Sequence, residues 1–166
     1  DMINTIFKSA NFNFFLKCIE YKSFFYFCAE YNYYNIANLL LKSNDIDVNL
    51  IVERDLKKNK NYQERRLKAK TALFASVKNK NKEFVKLLLS CEEIDVNIPE
   101  KIYYYEYSNS KNTHLKREKT ILNKAVNGEN IDIIEQLLKC ENLDVNAFDL
   151  TINRDWGNDN CQQAAL

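Results

Sequence analysis

The sequence predicts an all-α fold, a helical repeat solenoid of stacked helix-turn-helix units joined by long connecting loops. Only two Gly and one Pro occur in the chain, which argues against a turn-rich β fold. The tripeptide Asp-Val-Asn occurs three times, beginning at Asp47, Asp95 and Asp144, at intervals of 48 and 49 residues. Apolar residues at matching positions precede each copy. This pattern is typical of a solenoid, in which each unit buries its apolar face against the next one.

The composition is that of a globular chain with almost no net charge. Of 166 residues, 46% are hydrophobic and 28% are charged, and the formal net charge is +1. This balance gives no global attraction to nucleic acid or to a membrane surface. The longest apolar run, Phe24–Ala29, is too short to span a bilayer. Five Cys without Cys-x-x-Cys spacing predict free thiols in a reducing compartment, so we expect a soluble, intracellular protein of the cytoplasm.

The clearest single unit is Lys70–Asn97. Thr71 occupies the position of an N-cap, where its hydroxyl would accept a hydrogen bond from an early helical N–H. Leu73, Ser76 and Val77 then fall on one face of a short first helix. After an Asn-Lys-Asn turn, a second helix carries an apolar stripe too wide for one partner to cover. Because two short helices are marginal alone, we expect the pair to pack against similar pairs on both sides.

The two neighbouring units carry equivalent residues at the same positions. Their N-cap positions align with Thr71 at Ser23 and Thr120, each of which follows a Lys. The second helices align at leucines, which are Leu40, Leu88 and Leu137. Matched chemistry in three copies predicts three stacked helix pairs in a single domain that spans residues 1–166.

The two ends of the chain fit the same template only in part. We interpret residues 1–22 as a partial or degenerate repeat and residues 147–166 as the start of a further, truncated repeat. Within the second of these, Asp159–Leu166 is expected to be a first helix that is cut short. Because an array that stops within a repeat exposes an apolar face, we expect the natural protein to continue as a longer repeat chain.

The start of each first helix resembles the hallmark of the ankyrin repeat, T-P-L-H-x-A. None of the matching segments has the Pro or the His; they are Ser23–Cys28, Thr71–Ser76 and Thr120–Ala125. The resemblance covers nearly the whole chain and implies repeats at 23–49, 70–97 and 119–146. It also implies projecting finger loops, which are enlarged here into insertions at 50–69 and 98–118.

The first finger is basic. Residues 50–70 contain eight Lys or Arg against three acidic residues. One interpretation is a site for an acidic partner or nucleic acid, and the other is a solvated loop. The single Tyr62 among these charges does not by itself favour base stacking.

The second finger carries alternating tyrosines, Tyr103, Tyr105 and Tyr107. This alternation predicts a strand with one packed face and one exposed face. Exposed tyrosines offer a large contact area at a low cost in entropy, which suits a recognition surface. The alternative is that their rings cover the base of the finger.

We find no motif for catalysis. The chain has no phosphate-binding Gly-rich loop, no Gly-x-Ser-x-Gly and no His-Glu-x-x-His. Its single histidine, His114, has no Cys or acidic residues at metal-ligand or triad spacing. The Asp of each Asp-Val-Asn lies on a different repeat, so we expect these side chains to bond turn amides and not calcium. The sequence therefore predicts no enzyme activity, no cofactor and no metal.

The resemblance implies a non-catalytic scaffold that binds a protein partner through the concave helix face and the finger loops. Candidate contact positions are those on first helices and fingers that the core does not require. They are Tyr26, Glu30, Phe74, Lys78, Asn123, Asn127, Lys57, Lys58, Arg65, Tyr103, Tyr105 and Tyr107.

Two alternatives remain open at this point. The array could regulate or target an enzyme that lies outside this segment. Alternatively, the basic finger at 54–70 could bind nucleic acid or an acidic partner. A net charge of +1 makes nucleic acid the less expected of these partners, and we expect no membrane span.

Overall fold

A computed structural model describes residues 21–42, 46–56, 66–105, 113–152 and 161–163 of the protein. In these residues, six helices form three helix-turn-helix pairs, each followed by a β-hairpin. The pairs are α1 (Tyr21–Tyr31) with α2 (Tyr34–Leu40), α3 (Ala72–Lys78) with α4 (Lys82–Leu89), and α5 (Ile121–Asn127) with α6 (Ile131–Leu138). The expected first helix and second helix within residues 1–20 lie outside the described residues.

Each of the last two first helices begins at the predicted threonine cap. The Thr71 hydroxyl accepts a hydrogen bond from the Phe74 N–H at 3.2 Å, and the Thr120 hydroxyl accepts one from the Asn123 N–H at 3.3 Å. These bonds satisfy N–H groups that have no partner within the helix. The cap prediction from the sequence is confirmed at both sites and is wrong at Ser23, which lies within α1.

The turns between paired helices share a left-handed residue. Asn32, Lys80 and Glu129 occupy equivalent positions and have φ values of 59°, 60° and 53°. This conformation is uncommon for residues other than Gly, Asn and Asp. The left-handed residue lets the chain reverse within two or three residues, and the second helix then packs antiparallel to the first.

The helix pairs stack side by side, as the wide apolar stripes predict. Helices α1, α3 and α5 form one row, and α2, α4 and α6 form a second row behind it. The core lies between the rows and includes the fully buried Leu88, Ile133 and Leu137. The rings of Phe25 and Phe84 belong to neighbouring pairs and lie 6.1 Å apart. Stacking therefore buries apolar surface that a single pair would leave in water.

Each Asp-Val-Asn closes its own turn through its aspartate. The Asp47, Asp95 and Asp144 carboxylates accept hydrogen bonds from the N–H two residues later, at 2.9, 2.9 and 3.0 Å. This is the turn-amide role that the sequence predicts for these aspartates.

The asparagine of Asp-Val-Asn binds the neighbouring repeat. Asn49 donates from Nδ2 to the Glu93 carbonyl at 2.6 Å and accepts from the Asp95 N–H at 2.8 Å. Asn97 makes the same pair of bonds to the next repeat, with the Asn142 carbonyl at 2.7 Å and the Asp144 N–H at 2.8 Å. A ladder of side-chain amides therefore joins successive turns.

The segments between the helix pairs form strands within the described residues. Six strands form one antiparallel sheet in chain order, and three hairpins supply two strands each. The strands are β1 (Val52–Leu56), β2 (Arg66–Lys70), β3 (Glu100–Tyr105), β4 (Thr113–Lys119), β5 (Leu150–Ile152) and β6 (Cys161–Gln163). The helical repeat fold is confirmed, but the all-α class is not, because stacking places successive hairpins close enough for β2 to bond β3 and β4 to bond β5.

The third hairpin corrects the prediction for the C-terminal segment. Cys161–Gln163 is a strand that pairs antiparallel with β5, whereas the sequence predicts a first helix over Asp159–Leu166. Leu150 follows the third Asp-Val-Asn as Val52 follows the first, so β5 and β6 correspond to an inter-repeat hairpin. A strand needs a bonded neighbour, and β5 finds one in β6 on one side and in β4 on the other.

Candidate partner-binding surface

One face of the sheet meets the first helices at an open corner. The sheet residues on this face include Arg54 and Lys70, whose side chains reach Glu30 on α1. We call the face that carries Arg54 and Lys70 the inner sheet face. The corner forms because the second strand of each of the first two hairpins continues directly into the N-cap residue of a first helix, as Lys70 does into Thr71.

A compact ion pair holds the hairpin against α1. The Glu30 carboxylate accepts from Lys70 Nζ at 2.7 Å and from the Tyr26 hydroxyl at 2.8 Å. The Lys70 ammonium lies 5.5 Å from the centre of the Tyr26 ring, a distance at which the ring attracts a cation. The side chains of Lys70 and Glu30 are only 4% and 15% exposed, so water screens this pair weakly.

Burial and ion pairing shift the pKa values of Glu30 and Lys70 in opposite directions. Burial raises the pKa of Glu30, but the hydrogen bonds and positive charge of Lys70, with the Tyr26 hydroxyl, outweigh it and hold the pKa below its ordinary 4.5. For Lys70 burial prevails, and its pKa lies below 10.5 despite the attraction of Glu30. The difference follows from the deeper burial of Lys70. Burial and the neighbouring carboxylate also keep the Tyr26 hydroxyl protonated by raising its pKa far above 10.0.

Cations recur across the inner sheet face because the strand register aligns them. Arg54 lies opposite Lys68, which lies opposite Ile102, and Ile102 lies opposite Arg117. Opposed residues in an antiparallel sheet project from the same face. The register therefore places one row of side chains across four strands, with Arg54, Lys68 and Arg117 as its charged members. Lys119 lies two residues beyond Arg117 and projects from the same face.

The acidic residues of the inner sheet face are few and already paired. Glu100 lies on this face opposite Lys119, and its Oε1 is 3.0 Å from Lys68 Nζ in an ion pair without a well-aligned hydrogen bond. Among described residues, Arg117, Lys119 and the nearby Lys78 have no ion pair within 4.0 Å. The local charge of the corner is therefore positive.

The opposite face of the sheet has a different balance. It carries Glu53 opposite Ala69, and Lys101 opposite Glu118. Lys101 Nζ lies 3.2 Å from Glu118 Oε1, so these two charges offset each other. The positive excess of the hairpins is thus concentrated on the inner sheet face within the described residues.

Aromatic rings extend the corner at the end of α1. Arg54 lies over the Phe27 ring at 5.5 Å from its centre. Phe27 stacks on Tyr31 at 6.4 Å, and Tyr31 stacks on Tyr33 at 6.2 Å. Tyr31 and Tyr33 are exposed, so apolar and cationic groups lie side by side at this end of the surface.

Two of the contact positions predicted from the sequence are wrong because they are buried. Tyr26 is 1% exposed and Phe74 is 0% exposed, and both belong to the apolar core. Lys70 lies over the ring of Tyr26. The hairpin therefore buries a side chain that would be expected to be exposed from its position in the repeat alone.

The other predicted helix positions lie at or near the corner. Glu30 forms the ion pair described above, while Lys78 and Asn127 are exposed. Asn123 is partly buried and donates to the Asp149 carboxylate at 3.2 Å. Asp149 also accepts from the Thr120 N–H at 2.8 Å, so Asn123 helps to fix the third hairpin to α5.

The predicted finger positions are only partly described. Tyr103 is partly buried in β3, and Tyr105 ends that strand, which confirms that the tyrosine-rich segment is extended up to this residue. The other finger residues lie outside the described residues and stay predictions; they are Lys57, Lys58, Arg65 and Tyr107.

Arg54, Lys68 and Lys70 enter the sequence-based prediction only as members of the basic finger at 54–70, and Arg117 and Lys119 do not enter it; the sheet aligns all five. A usable signal was present in Arg66–Lys70, where basic residues alternate with Leu and Ala. Such alternation predicts a strand with one cationic face. The strand is not recognised from the sequence because the segment falls within an insertion between repeats, where a charged, solvated loop is the alternative.

Two features that are absent from the described part of the chain bear on other functions. No group of three or more His, Cys, Asp or Glu side chains is arranged there to hold a metal ion. None of the helices in that part is both long and apolar enough to cross a bilayer.

Comparison with known proteins gives one match. A family model described as ankyrin repeats in three copies matches residues 27–149. No curated protein and no solved structure matches the chain. The matched residues extend from the middle of α1 to the base of the third hairpin, so they include the second and third helix pairs and the greater part of the first.

Proposed function

The chain belongs to the ankyrin repeat family, and on this premise we propose that it is a non-catalytic scaffold that binds a protein partner across the open corner between its first helices and its sheet. Ankyrin repeats are generally modules of protein–protein interaction and are typically non-catalytic. The family indicates a general binding role, and the location of the contact on this chain is our own proposal.

The proposed location is supported by a set of exposed side chains that are not part of the apolar core. Lys78 and Arg117 are exposed at the corner, and the exposed Tyr31 lies beside Arg54. Interfaces are enriched in Tyr and Arg because both give a large contact area and several bonding modes. The rigid sheet and the stacked helices hold these groups in place, so little conformational freedom is lost on binding.

The chemistry of the cysteines agrees with a binding role. Burial, with the negative charge of Glu93, raises the pKa of the Cys91 thiol above its ordinary 9.0, and burial raises that of Cys140. A thiol with a raised pKa is protonated near neutral pH and is a poor nucleophile.

Capture combined with lysine cross-linking tests the proposed location. The intact chain would be used to capture partners from a native lysate, and cross-linked peptides would be identified by mass spectrometry. We expect cross-links at Lys78 and Lys119, at the corner, to exceed those at Lys86 and Lys139, which are exposed on or next to the second helices. Cross-links concentrated at Lys86 and Lys139 would contradict the location, and no specific capture would contradict the scaffold role.

A second arm of the same experiment addresses the hairpin tips. Shortening the tips within 57–65 and 106–112 leaves the described strands intact. If the captured proteins and the cross-links at Lys78 are unchanged, the tips act as spacers and the contact lies at the corner. If capture is lost while the chain remains folded, the tips carry the contact.

A further inference from the structure

We propose that the corner recognises an acidic segment of its protein partner, bound in an extended conformation along the first helices and the inner sheet face. This inference rests on the proposed function and names the chemistry of the partner. It follows from the distribution of charge at the corner.

The corner carries more cations than the protein can neutralise internally. Its positive groups are Arg54, Lys68, Lys70, Lys78, Arg117 and Lys119, and its acidic groups in the described residues are Glu30, Glu100 and Asp149, the last of which accepts hydrogen bonds from Thr120 and Asn123. Glu30 pairs closely with Lys70, and Glu100 with Lys68. Arg54 lies 3.7 Å from Glu30, so it shares a carboxylate that Lys70 already occupies.

This excess is a local property of the surface. The whole chain has a net charge of +1, so the positive charge at the corner is offset elsewhere on the protein. A local patch attracts a complementary segment at close range and contributes to specificity more than to long-range steering. Carboxylates suit Arg54 and Arg117 in particular, because a guanidinium can bind both oxygens of one carboxylate.

The spacing of the cations fits an extended peptide. Neighbouring strands of a sheet are about 4.8 Å apart, so Arg54 and Lys68 are one such step apart, and Lys68 and Arg117 are two steps apart across Ile102. Alternate side chains of an extended peptide recur about every 6.8 Å on one side. Arg54 and Arg117 are three steps apart, about 14 Å, which is close to two such repeats of an extended peptide. Acidic residues four positions apart in the segment can therefore meet both arginines, and Ile102 offers an apolar contact between them.

The same observations favour a peptide over nucleic acid. Glu30 and Glu100 lie among the cations, and the pairing with Lys70 keeps Glu30 ionised by lowering its pKa. A phosphate backbone carries a negative charge at every nucleotide and would meet these carboxylates. A peptide can place neutral or apolar side chains opposite them.

A peptide-display experiment with two charge-matched variants tests the proposal. Random peptides of about 12 residues would be selected on the intact chain at about 0.15 M salt, and enriched peptides would be measured by fluorescence anisotropy. The test variant carries Lys78→Glu and Arg117→Glu. The control variant carries Lys86→Glu and Lys139→Glu, which make the same change in net charge at exposed positions outside the corner.

We expect the selected peptides to be enriched in Asp and Glu. We expect the test variant to raise their Kd by about ten-fold or more and the control variant by less than about two-fold. Circular dichroism and thermal unfolding of both variants verify that each remains folded. If the test variant does not fold, Lys78→Gln with Arg117→Gln at the same positions should give a smaller rise in Kd in the same direction.

Four outcomes would overturn the proposal. They are selected peptides without enrichment in acidic residues, equal losses in the two charge-reversal variants, no selected peptide, and a single-stranded RNA of about 12 nucleotides that binds as tightly as the best peptide and is lost in the test variant. The scaffold role is tested separately, by the capture and cross-linking experiment.

Discussion

The middle and last helix pairs carry the same residue types at equivalent positions but bury them to different extents. Val77 on α3 is 3% exposed, whereas its equivalent on α5, Val126, is 52% exposed. Val96 in the second Asp-Val-Asn is 1% exposed, and Val145 in the third is 55% exposed. The middle pair packs between two others, whereas within the described residues the last pair has a helical neighbour on one side. Burial in this stack therefore depends on neighbours more than on the residues themselves.

The asparagine ladder differs between these pairs in the same way. Asn97 binds the repeat that follows it through both its amide nitrogen and its amide oxygen. Asn146 is exposed, and its side-chain amide makes no hydrogen bond to the described residues. Equivalent substitutions in the two pairs therefore provide matched measurements of what a neighbouring repeat contributes.

The largest difference is expected at the leucines of the second helices. Leu88→Ala should lower the free energy of unfolding by about 2–5 kcal/mol, because Leu88 is fully buried and its loss leaves a cavity. Leu138→Ala, at a position of the last pair that follows the buried equivalent Leu137 and is 56% exposed, should lower it by less than about 1 kcal/mol. Urea denaturation of both variants measures the difference. Similar losses would mean that the burial of Leu88 in the stack does not stabilise the fold.

The next largest effect is expected at the corner. Glu30→Ala should lower the free energy of unfolding by about 3 kcal/mol, because it leaves the Lys70 cation buried without its closest partner. The equivalent position in the last pair is the exposed Asn127. Asn127→Ala is expected to change stability by less than about 0.5 kcal/mol. Equal losses at the two positions would show that the ion pair does not stabilise the hairpin against α1.

The valines of Asp-Val-Asn should show a smaller contrast. Val96→Ala removes two buried methyl groups and should cost about 1–2 kcal/mol. Val145→Ala should cost less than about 0.5 kcal/mol, since the side chain is mostly in water. Thermal unfolding of the two variants, at equal protein concentration, provides the comparison. A large loss for Val145→Ala would indicate that another molecule covers this end of the stack in solution.

Removing one asparagine of the ladder should lower the free energy of unfolding by about 1 kcal/mol. Asn97→Ala removes two hydrogen bonds to the next repeat, each of which is exposed and contributes modestly. Asn146→Ala removes none of these bonds within the described residues and should be close to neutral. Hydrogen exchange at the Asp144 N–H should be faster in Asn97→Ala. Unchanged exchange there would contradict the role of the ladder.

The smallest predicted effect is a dependence on pH. The pKa of Glu30 lies below 4.5 in the folded protein, so its pairing stabilises the fold fully above pH 4.5 and is lost as the pH falls through the folded pKa. Glu30→Gln removes this contribution. The difference in unfolding free energy between the original protein and Glu30→Gln should therefore be constant near neutral pH and shrink below pH 4.5. A difference that grows on acidification would have the wrong sign for this pair.

The helix pairs could be predicted from sequence because their determinants are local. Thr71 and Thr120 cap helices within three residues, and each Asp-Val-Asn aspartate bonds an N–H two residues away. The apolar stripe around Leu88 needs only the period of a helix to be recognised. These contacts depend on neighbours in the chain, so they can be read without knowing where other segments lie.

The positions at the corner could be predicted only in part. Register correctly places Glu30 and Lys78 on the first helices, but it also selects Tyr26 and Phe74, which are buried. Whether a helix position is open depends on what packs over it, and Lys70 of the hairpin packs over Tyr26. The sequence separates these residues by more than a whole helix pair, so the contact leaves no local pattern.

The amino-acid sequence by itself determines the three helix pairs, their caps and the turn chemistry that sets the repeat. Only the tertiary structure decides that the hairpins join into one sheet, because β2 bonds β3 and β4 bonds β5 across repeats. That pairing brings Arg54, Lys68 and Arg117 into one row, although they lie on three different strands. Helical bonds are satisfied within a segment, whereas the bonds of a strand and the charge of a sheet face depend on segments that only stacking brings together.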